Sequence, residues 1–174
     1  MKKIVYRGVE YREAERVVQL QRYERHERRQ FVNGAVAKAV FGSGVYLVSS
    51  MKIAAQYAIC HAETTWDQAA ILAQELRTTG LFHLNEQYGE NQLRIDALQY
   101  QYSVDDLKRI SAAMDEQEWL DWTGEQIRLY LMEQGYQGIC YQINGELTYY
   151  ICYSPDQQIS NISLFSVFDV GVSS

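Results

Sequence analysis

The segment GSGVYLVSSMKIAAQY, from Gly42 to Tyr57, contains the residues that decide how this chain folds around its main candidate site. Two glycines one residue apart lead into a short run of β-forming residues, Val45–Val48, and Ser50 is placed to cap a following helix. The second tyrosine of the segment comes eleven residues after Tyr46. A turn, a strand and a helix in this order can bring two aromatic rings to one cleft, where they can hold a flat ligand. The same pattern also fits a plain loop–strand–helix connection whose tyrosines belong to the core.

The composition indicates one globular domain spanning residues 1–174. The chain is 47% hydrophobic and 22% charged, and a chain of this length can bury a core without disulfides. Its three cysteines (Cys60, Cys140 and Cys152) are odd in number and lie in apolar runs, which predicts reduced thiols in a cytoplasmic protein. The three histidines have no metal-ligand spacing, so no metal site is expected.

The charge and hydropathy argue against nucleic-acid and membrane partners. The formal net charge is −6, whereas phosphate binding needs an excess of cations. In the one basic segment, Arg12–Arg29, six arginines alternate with four glutamates. This mixture is typical of a solvent-exposed helix face with i,i+4 ion pairs, and a partner-binding face is the alternative interpretation. The first apolar run stops at Arg7, so no signal peptide is predicted, and no apolar stretch is long enough to span a bilayer.

The residue patterns predict an α+β fold with mixed or antiparallel sheets, because strands and helices do not alternate regularly. Besides the strand in the opening segment, the strands are predicted over Lys3–Val9, Gly80–Leu84, Leu93–Gln101 and within Ile159–Phe168. Helices are predicted over Arg12–Arg29, Met51–Cys60, Trp66–Leu76, Ser103 to about Met114, and Gly124–Gln134. The last helix has a predicted capping box formed by Thr123 and Gln126, and Gly135 is predicted to end it. The segment Phe31–Gly44 is a predicted loop.

A β-hairpin is predicted near the C-terminus. The β-rich runs Gly138–Ile143 and Glu146–Tyr153 are separated by Asn144-Gly145, a dipeptide that favours a two-residue type I′ turn. Strand alternation places Tyr150 on the same face as Glu146 and places Tyr149 on the opposite face. Pro155 ends the second strand.

Three segments, taken in order, form a pattern. Tyr6-Arg7-Gly8 ends the first strand, Gly42–Tyr57 follows, and GYQGICYQINGELTYYICYSPDQQI occupies Gly135–Ile159. The set resembles the ADP-ribosyltransferase superfamily, especially its poly-ADP-ribose-polymerase-like branch and its phage and toxin mono-ADP-ribosyltransferases. In those proteins the first strand carries His-Gly or Arg-Gly, a GxGxYF-like strand precedes a helix ending in a second tyrosine, and a late strand carries the catalytic glutamate. The resemblance implies split antiparallel β-sheets with flanking helices.

Position by position, the resemblance assigns five residues to NAD binding. Arg7 would anchor NAD through ribose or phosphate contacts, as suits a guanidinium. The backbone of Gly8 would bind the nicotinamide amide. Tyr46, preceded by Gly44, would help form the nicotinamide pocket, and Tyr57 would stack on the ring.

At two positions the chain departs from the family's pattern. The family often has a nicotinamide-binding serine where this chain has Ala54, and Ser49 or Ser50 could compensate if the loop folds inward. The expected catalytic glutamate aligns with Tyr149, whose neutral phenol cannot stabilise the positive charge that develops on the ribose. Glu146, three residues earlier, would need a bulge or a register shift to reach that position; the alternative is a solvent-facing glutamate beside the turn.

The implied function is that of an NAD-dependent mono-ADP-ribosyltransferase acting on a protein. Its catalytic candidates are Arg7, Tyr46, Glu146 and Tyr149. The natural setting is a bacterial or phage toxin or effector, with an antitoxin or a host-target protein as partner. The alternative is a catalytically silent module of the same fold that binds NAD, ADP-ribose or a partner protein. A relative that modifies nucleic acid ranks last because the chain is acidic.

Overall fold

The computed structural model describes residues 1–24, 31–32, 35–36, 41–65 and 68–170. Within these residues the chain forms nine strands and six helices. The strands are β1 (Lys2–Glu10), β2 (Phe31–Val32), β3 (Ala35–Val36), β4 (Val45–Val48), β5 (Ala69–Arg77), β6 (Leu81–Leu84), β7 (Gly138–Gln142), β8 (Thr148–Cys152) and β9 (Ile159–Phe168). The helices are α1 (Tyr11–Leu20), α2 (Met51–Thr65), α3 (Glu90–Gln101), α4 (Val104–Ala112), α5 (Glu116–Glu133) and α6 (Pro155–Gln158).

Seven strands form one sheet in the order β6-β7-β8-β4-β1-β5-β9, and β2 pairs with β3 separately. Within the seven-stranded sheet only β6 and β7 are parallel. Strand β1 pairs with β5 along its whole length, but it meets β4 at one register position, Tyr6 opposite Val48. The sheet therefore consists of two halves that join at Tyr6. This architecture confirms the predicted α+β class with a mixed sheet.

The core lies mainly in two layers, one against each half of the sheet. Helix α1 packs on the half containing β1, β5 and β9, with Val5, Val17 and Leu72 in the shared core. Helices α3 and α5 pack on each other and bury Leu93 and Ile127 in the second core, with residues of β6, β7 and β8. Helix α2 packs on β1 and β5.

Several predicted elements are confirmed. The strands over Lys3–Val9, Val45–Val48 and Gly80–Leu84 correspond to β1, β4 and β6, and Ile159–Phe168 is a single strand. Ser50 caps α2, because its hydroxyl accepts a hydrogen bond from the Ile53 amide at 3.2 Å. Ser103 caps α4 in the same way, and Gly135, with a φ of 93°, follows the end of α5.

Two predictions of secondary structure were wrong. Residues of the predicted helix Trp66–Leu76 form β5 from Ala69 onward, and Trp66 lies outside the described residues. Because β5 is central and covered on both faces, most of its residues are buried, and such a run does not show the alternation that identifies a strand. The predicted strand Leu93–Gln101 is part of α3, in which Leu93 and Ala97 are buried at helical spacing while Ile95 is 46% exposed.

Two helix boundaries also differ from the prediction. Helix α5 begins at Glu116, not Gly124, because Asp115 and Glu118 form the capping box, and Thr123 is buried inside the helix. Helix α1 ends at Leu20, where Gln21 adopts a φ of 56°. The side-chain amide of Gln21 exchanges hydrogen bonds with the backbone of Ile162 at 2.8 and 3.0 Å, which fixes this end against β9. Residues 21–24 of the predicted helix are not helical, and its residues 25–29 lie outside the described residues.

Part of the predicted loop Phe31–Gly44 forms β2 and β3, and its residues 33–34 and 37–40 lie outside the described part.

The predicted two-residue hairpin turn was wrong. The Ile143 amide donates to the Leu147 carbonyl at 3.0 Å, which leaves three residues in the loop instead of two. Neither Asn144 nor Gly145 is among the residues with positive φ, which a type I′ turn requires. The Asn144 side-chain oxygen instead accepts hydrogen bonds from the amides of Glu146 and Leu147, both at 2.9 Å.

Two kinds of feature are absent from the described residues. No helix there combines the length and the apolar character needed to cross a membrane. Nor does that part of the chain contain a group of three or more His, Cys, Asp or Glu side chains placed to hold a metal ion.

Candidate functional site

A cleft opens where β1 and β4 diverge beyond their single register pair. The predicted site residues that line it come from the three segments of the sequence pattern: Arg7, Gly8, Tyr46, Tyr57 and Tyr149. Tyr6, Leu47 and Val48 complete the lining. The fold thus brings together residues from the start, the middle and the end of the chain.

The cleft is narrow because two tyrosines meet across it. The Tyr57 hydroxyl on α2 donates to the Tyr149 hydroxyl on β8 at 3.4 Å. The enclosed volume is about 20 Å³, close to what one water molecule needs. A planar ring can therefore enter only when these two side chains separate.

Arg7 is a buried cation beside the cleft, with 2% of its surface exposed. Its Nη1 donates to the Tyr46 carbonyl at 3.0 Å, and its guanidinium carbon lies 4.9 Å from the centroid of the Tyr23 ring. Tyr23 in turn donates a hydrogen bond to the buried Gln74, whose amide donates to the Val5 carbonyl at 2.7 Å. Arg7 thus links β1 to β4 at the point where the two halves of the sheet separate.

Gly8 is required by packing. A Cβ at this position would lie 1.8 Å from the Ala54 carbonyl oxygen and 2.5 Å from the Ala58 nitrogen. Only a glycine lets α2 approach β1 this closely. The nicotinamide contact predicted for the Gly8 backbone remains a prediction, but the residue does line the cleft.

The glycines ahead of Tyr46 are explained by close backbone contacts. Gly42 has a φ of 85°, and a Cβ there would lie 2.7 Å from the Gly124 carbonyl oxygen of α5. A Cβ on Gly44 would lie 2.7 Å from the Cys152 carbonyl oxygen of β8, and Gly44 does not line the cleft. The Tyr46 hydroxyl donates to the Gly42 carbonyl at 2.7 Å, so the loop and the tyrosine hold each other in place.

Neither of the nearby serines takes the place of the family's nicotinamide-binding serine. The Ser49 hydroxyl accepts from the Thr148 amide at 2.9 Å and donates to the Glu146 carbonyl at 3.3 Å. Ser50 caps α2, and Ala54 is fully buried beneath Gly8. None of these residues lines the cleft.

The structure separates the two candidates for the catalytic late-strand position. Tyr149 pairs with Val48 on β4 and lines the cleft. Glu146 is exposed in the hairpin loop, where the hydrogen bond from Ser49 holds its backbone beside the end of β4. None of the described residues that line the cleft is therefore a carboxylate.

Two buried groups on β8 and just after it have raised pKa values, and the first of them is close enough to Arg7 to feel its charge. Burial raises the pKa of the Cys152 thiol to about 12, an effect that the positive charge of Arg7 partly opposes. Burial also raises the pKa of Tyr153, whose hydroxyl donates to the Phe41 carbonyl at 2.7 Å. Among the described residues that line the cleft, Arg7 is the only one of the Arg, Lys, His, Asp and Glu types.

Sequence reasoning missed the groups that hold Arg7 in place. Tyr23 fell within a predicted solvated helix, and Gln74 fell within a helix that is in fact β5. The sequence of a buried strand does not indicate which of its polar side chains will contact Arg7. Only the three-dimensional arrangement identifies Tyr23 and Gln74 as the residues around it.

Comparisons with protein-family models, with curated proteins and with solved structures find no match to this chain.

Proposed function

We propose that this protein binds NAD in the cleft and transfers ADP-ribose from it to a protein acceptor. The observation that carries this proposal is the convergence of Arg7, Gly8, Tyr46 and Tyr57 on one cleft. These residues lie in two separate segments of the sequence, and their meeting at the junction of the sheet halves is what an ADP-ribosyltransferase-like fold requires. The single register pair between β1 and β4 gives further support to that fold.

The side chains of the cleft suit the nicotinamide end of NAD. Tyr57 and Tyr149 present aromatic rings on two sides, and an entering ring would displace the 3.4 Å contact between their hydroxyls. The fixed positive charge of Arg7 favours a ligand that carries phosphate. Bound NAD would supply the ADP-ribose unit and release nicotinamide.

Glu146 is the residue we assign to charge stabilisation. A carboxylate near the reacting ribose stabilises the positive charge that develops there and orients the acceptor. The backbone of Glu146 is hydrogen-bonded to Ser49, the residue that follows the cleft-lining Val48. Its exposed side chain would reach the ribose at the mouth of the cleft once NAD is bound.

A second candidate function is favoured by one specific observation. Tyr149 lines the cleft, and within the part of the chain that the structure describes no carboxylate does. The protein would then be a silent module that binds NAD or ADP-ribose and acts through a partner protein. In either case we propose a toxin or effector that works in the cytoplasm, where an antitoxin or a host target would be its partner.

Release of labelled nicotinamide from NAD, with a bacterial lysate as the source of acceptors, tests these two functions. Glu146→Gln is the variant of choice, because an exposed loop residue can change without disturbing the core. The transferase predicts release by the wild type and a loss of about 10²–10³ in rate for Glu146→Gln. Glu15→Gln, at an exposed position of α1, should keep the wild-type rate.

Three results would count against the transferase. Equal rates for Glu146→Gln and the wild type would remove Glu146 from the chemistry. NAD binding without any nicotinamide release would favour the silent module. The absence of both would overturn the two functions together.

A further inference from the structure

Phe165 is the extra residue of a β-bulge on the edge strand β9. Ile71 pairs with Ser166, but the next residue of β5, Leu72, pairs with Leu164. Phe165 therefore has no partner on β5, and a bulge of this kind re-aims a side chain. Bulges are common next to functional sites, which makes the direction of this side chain informative.

The Phe165 ring is directed toward the cleft residue Tyr6. The two ring centroids are 5.6 Å apart with an interplanar angle of 65°, an edge-to-face contact. Phe165 is nevertheless 53% exposed. Because Tyr6 lines the cleft, its ring and that of Phe165 form one aromatic surface that runs from the cleft to the edge of the sheet.

We infer that Phe165 and Tyr6 form a stacking platform for a second planar base, the purine of the dinucleotide whose nicotinamide end lies in the cleft. This inference rests on the proposed binding of NAD and adds a residue that lies outside the three segments of the sequence pattern. The edge-to-face contact leaves much of the Phe165 surface open to solvent, and every base has a flat face that can stack on such a ring.

The connection between platform and cleft is what favours a dinucleotide. Tyr6 lines the cleft together with Tyr57 and Tyr149, and its ring also contacts that of Phe165, so it adjoins both the cleft and the platform. Two neighbours of Phe165 on the same strand, Leu164 and Val167, are also exposed, at 42% and 38%. They have no aromatic surface and thus provide matched controls for exposed apolar area on this edge.

Equilibrium binding of three probes distinguishes binding at the aromatic platform from binding in the cleft. The probes are NAD, nicotinamide mononucleotide, which lacks the purine half, and AMP, which lacks the nicotinamide half. We expect Phe165→Ala to bind NAD and AMP about tenfold or more weakly and to bind nicotinamide mononucleotide as the wild type does. Phe165→Trp should keep the affinity for AMP, and Leu164→Ala should change none of the three.

The outcomes distinguish failure of the platform from failure of the proposed function. Unchanged NAD and AMP affinities in Phe165→Ala would overturn the platform, even if nicotinamide mononucleotide binds to the cleft. AMP binding that depends on Phe165, with no binding of nicotinamide mononucleotide, would support the platform and refute the proposed nicotinamide site. Equal weakening of all three probes would mean a general structural defect and would also overturn the platform. A wild-type protein that binds none of the probes would overturn both.

Discussion

The hydroxyl of Tyr57 on α2 donates a hydrogen bond to the hydroxyl of Tyr149 on β8 across the cleft, with 3.4 Å between the two oxygens. Hydrogen bonds between hydroxyl groups are usually about 2.7–2.8 Å long, so this one is weak. The two side chains narrow the cleft, but the hydrogen bond between them holds it closed only weakly. A ligand that separates the two rings therefore breaks only a weak hydrogen bond between them.

Replacement of the Tyr149 hydroxyl should have little effect on stability. We expect Tyr149→Phe to change the free energy of unfolding by less than about 0.5 kcal/mol, because the long hydrogen bond from Tyr57 contributes little. The control is Tyr46→Phe, which removes the donor to the Gly42 carbonyl at 2.7 Å and should cost about 1–3 kcal/mol. Urea denaturation measures both, and equal losses for the two variants would refute the view that the cleft is weakly closed.

Gly8→Ala should loosen α2 from β1. The new methyl group would lie 1.8 Å from the Ala54 carbonyl oxygen, and because that oxygen belongs to the backbone of α2 and cannot rotate away we expect a loss of about 1–3 kcal/mol or more. Gly145→Ala is the matched control, since a Cβ there has no neighbour within 4 Å and the residue does not have a positive φ. Thermal unfolding compares the two variants. A Gly8→Ala protein as stable as Gly145→Ala would contradict the close approach of the helix.

Arg7→Lys should destabilise the protein although it keeps the charge. A lysine has no planar guanidinium to lie over Tyr23 while donating to the Tyr46 carbonyl. We expect a loss of about 2 kcal/mol in the free energy of unfolding. The same substitution at Arg109, whose side chain is 77% exposed in an ion pair with Asp106, should cost less than about 0.5 kcal/mol. Chemical denaturation of both variants checks the difference, which should vanish if Arg7 is not a structural link between the sheet halves.

The buried thiol of Cys152 should make the protein less stable in alkali. Its pKa is raised to about 12 by burial, so between pH 9 and 12 the unfolded chain loses this proton while the folded protein keeps it. The folded state then binds more protons, and stability falls with rising pH by up to about 1.4 kcal/mol per pH unit. Cys152→Ala should be less steep between pH 9 and 10, where the buried tyrosines contribute equally to both proteins. Parallel slopes for the two proteins would contradict this assignment.

The sequence predicted those elements that have local signals. Ser50 and Ser103 marked helix starts because N-cap residues act on the next turn, and Gly135 marked a helix end because its φ is positive. The α+β class followed from the irregular order of the elements. The prediction failed where tertiary packing decides: β5 is buried on both faces and resembles a helix, whereas α3 contains an alternating run that resembles a strand.

Part of the candidate site was predictable because two of its residues are close together in the sequence. Tyr46 and Tyr57 lie on one strand and the helix that follows it, so their spacing determines where their rings can go. The position of Glu146 was not predictable, because it depends on whether the hairpin loop has two residues or three. One residue in that loop changes the register of the strand against its partner. The position of Phe165 was not predictable either, because no sequence signal marks the bulge that turns its side chain toward Tyr6.

Binding of NAD to the purified protein tests the central claim most directly. Isothermal titration of the wild type and of Tyr57→Ala should show saturable binding by the wild type. Because the ring of Tyr57 is expected to stack on the nicotinamide, the variant should bind about tenfold or more weakly. Tyr136→Ala, which removes a tyrosine from the other core outside the cleft, should keep the wild-type affinity if it folds, as circular dichroism would show. No binding by the wild type at millimolar NAD, or equal binding by wild type and Tyr57→Ala, would contradict the assignment of this cleft to NAD.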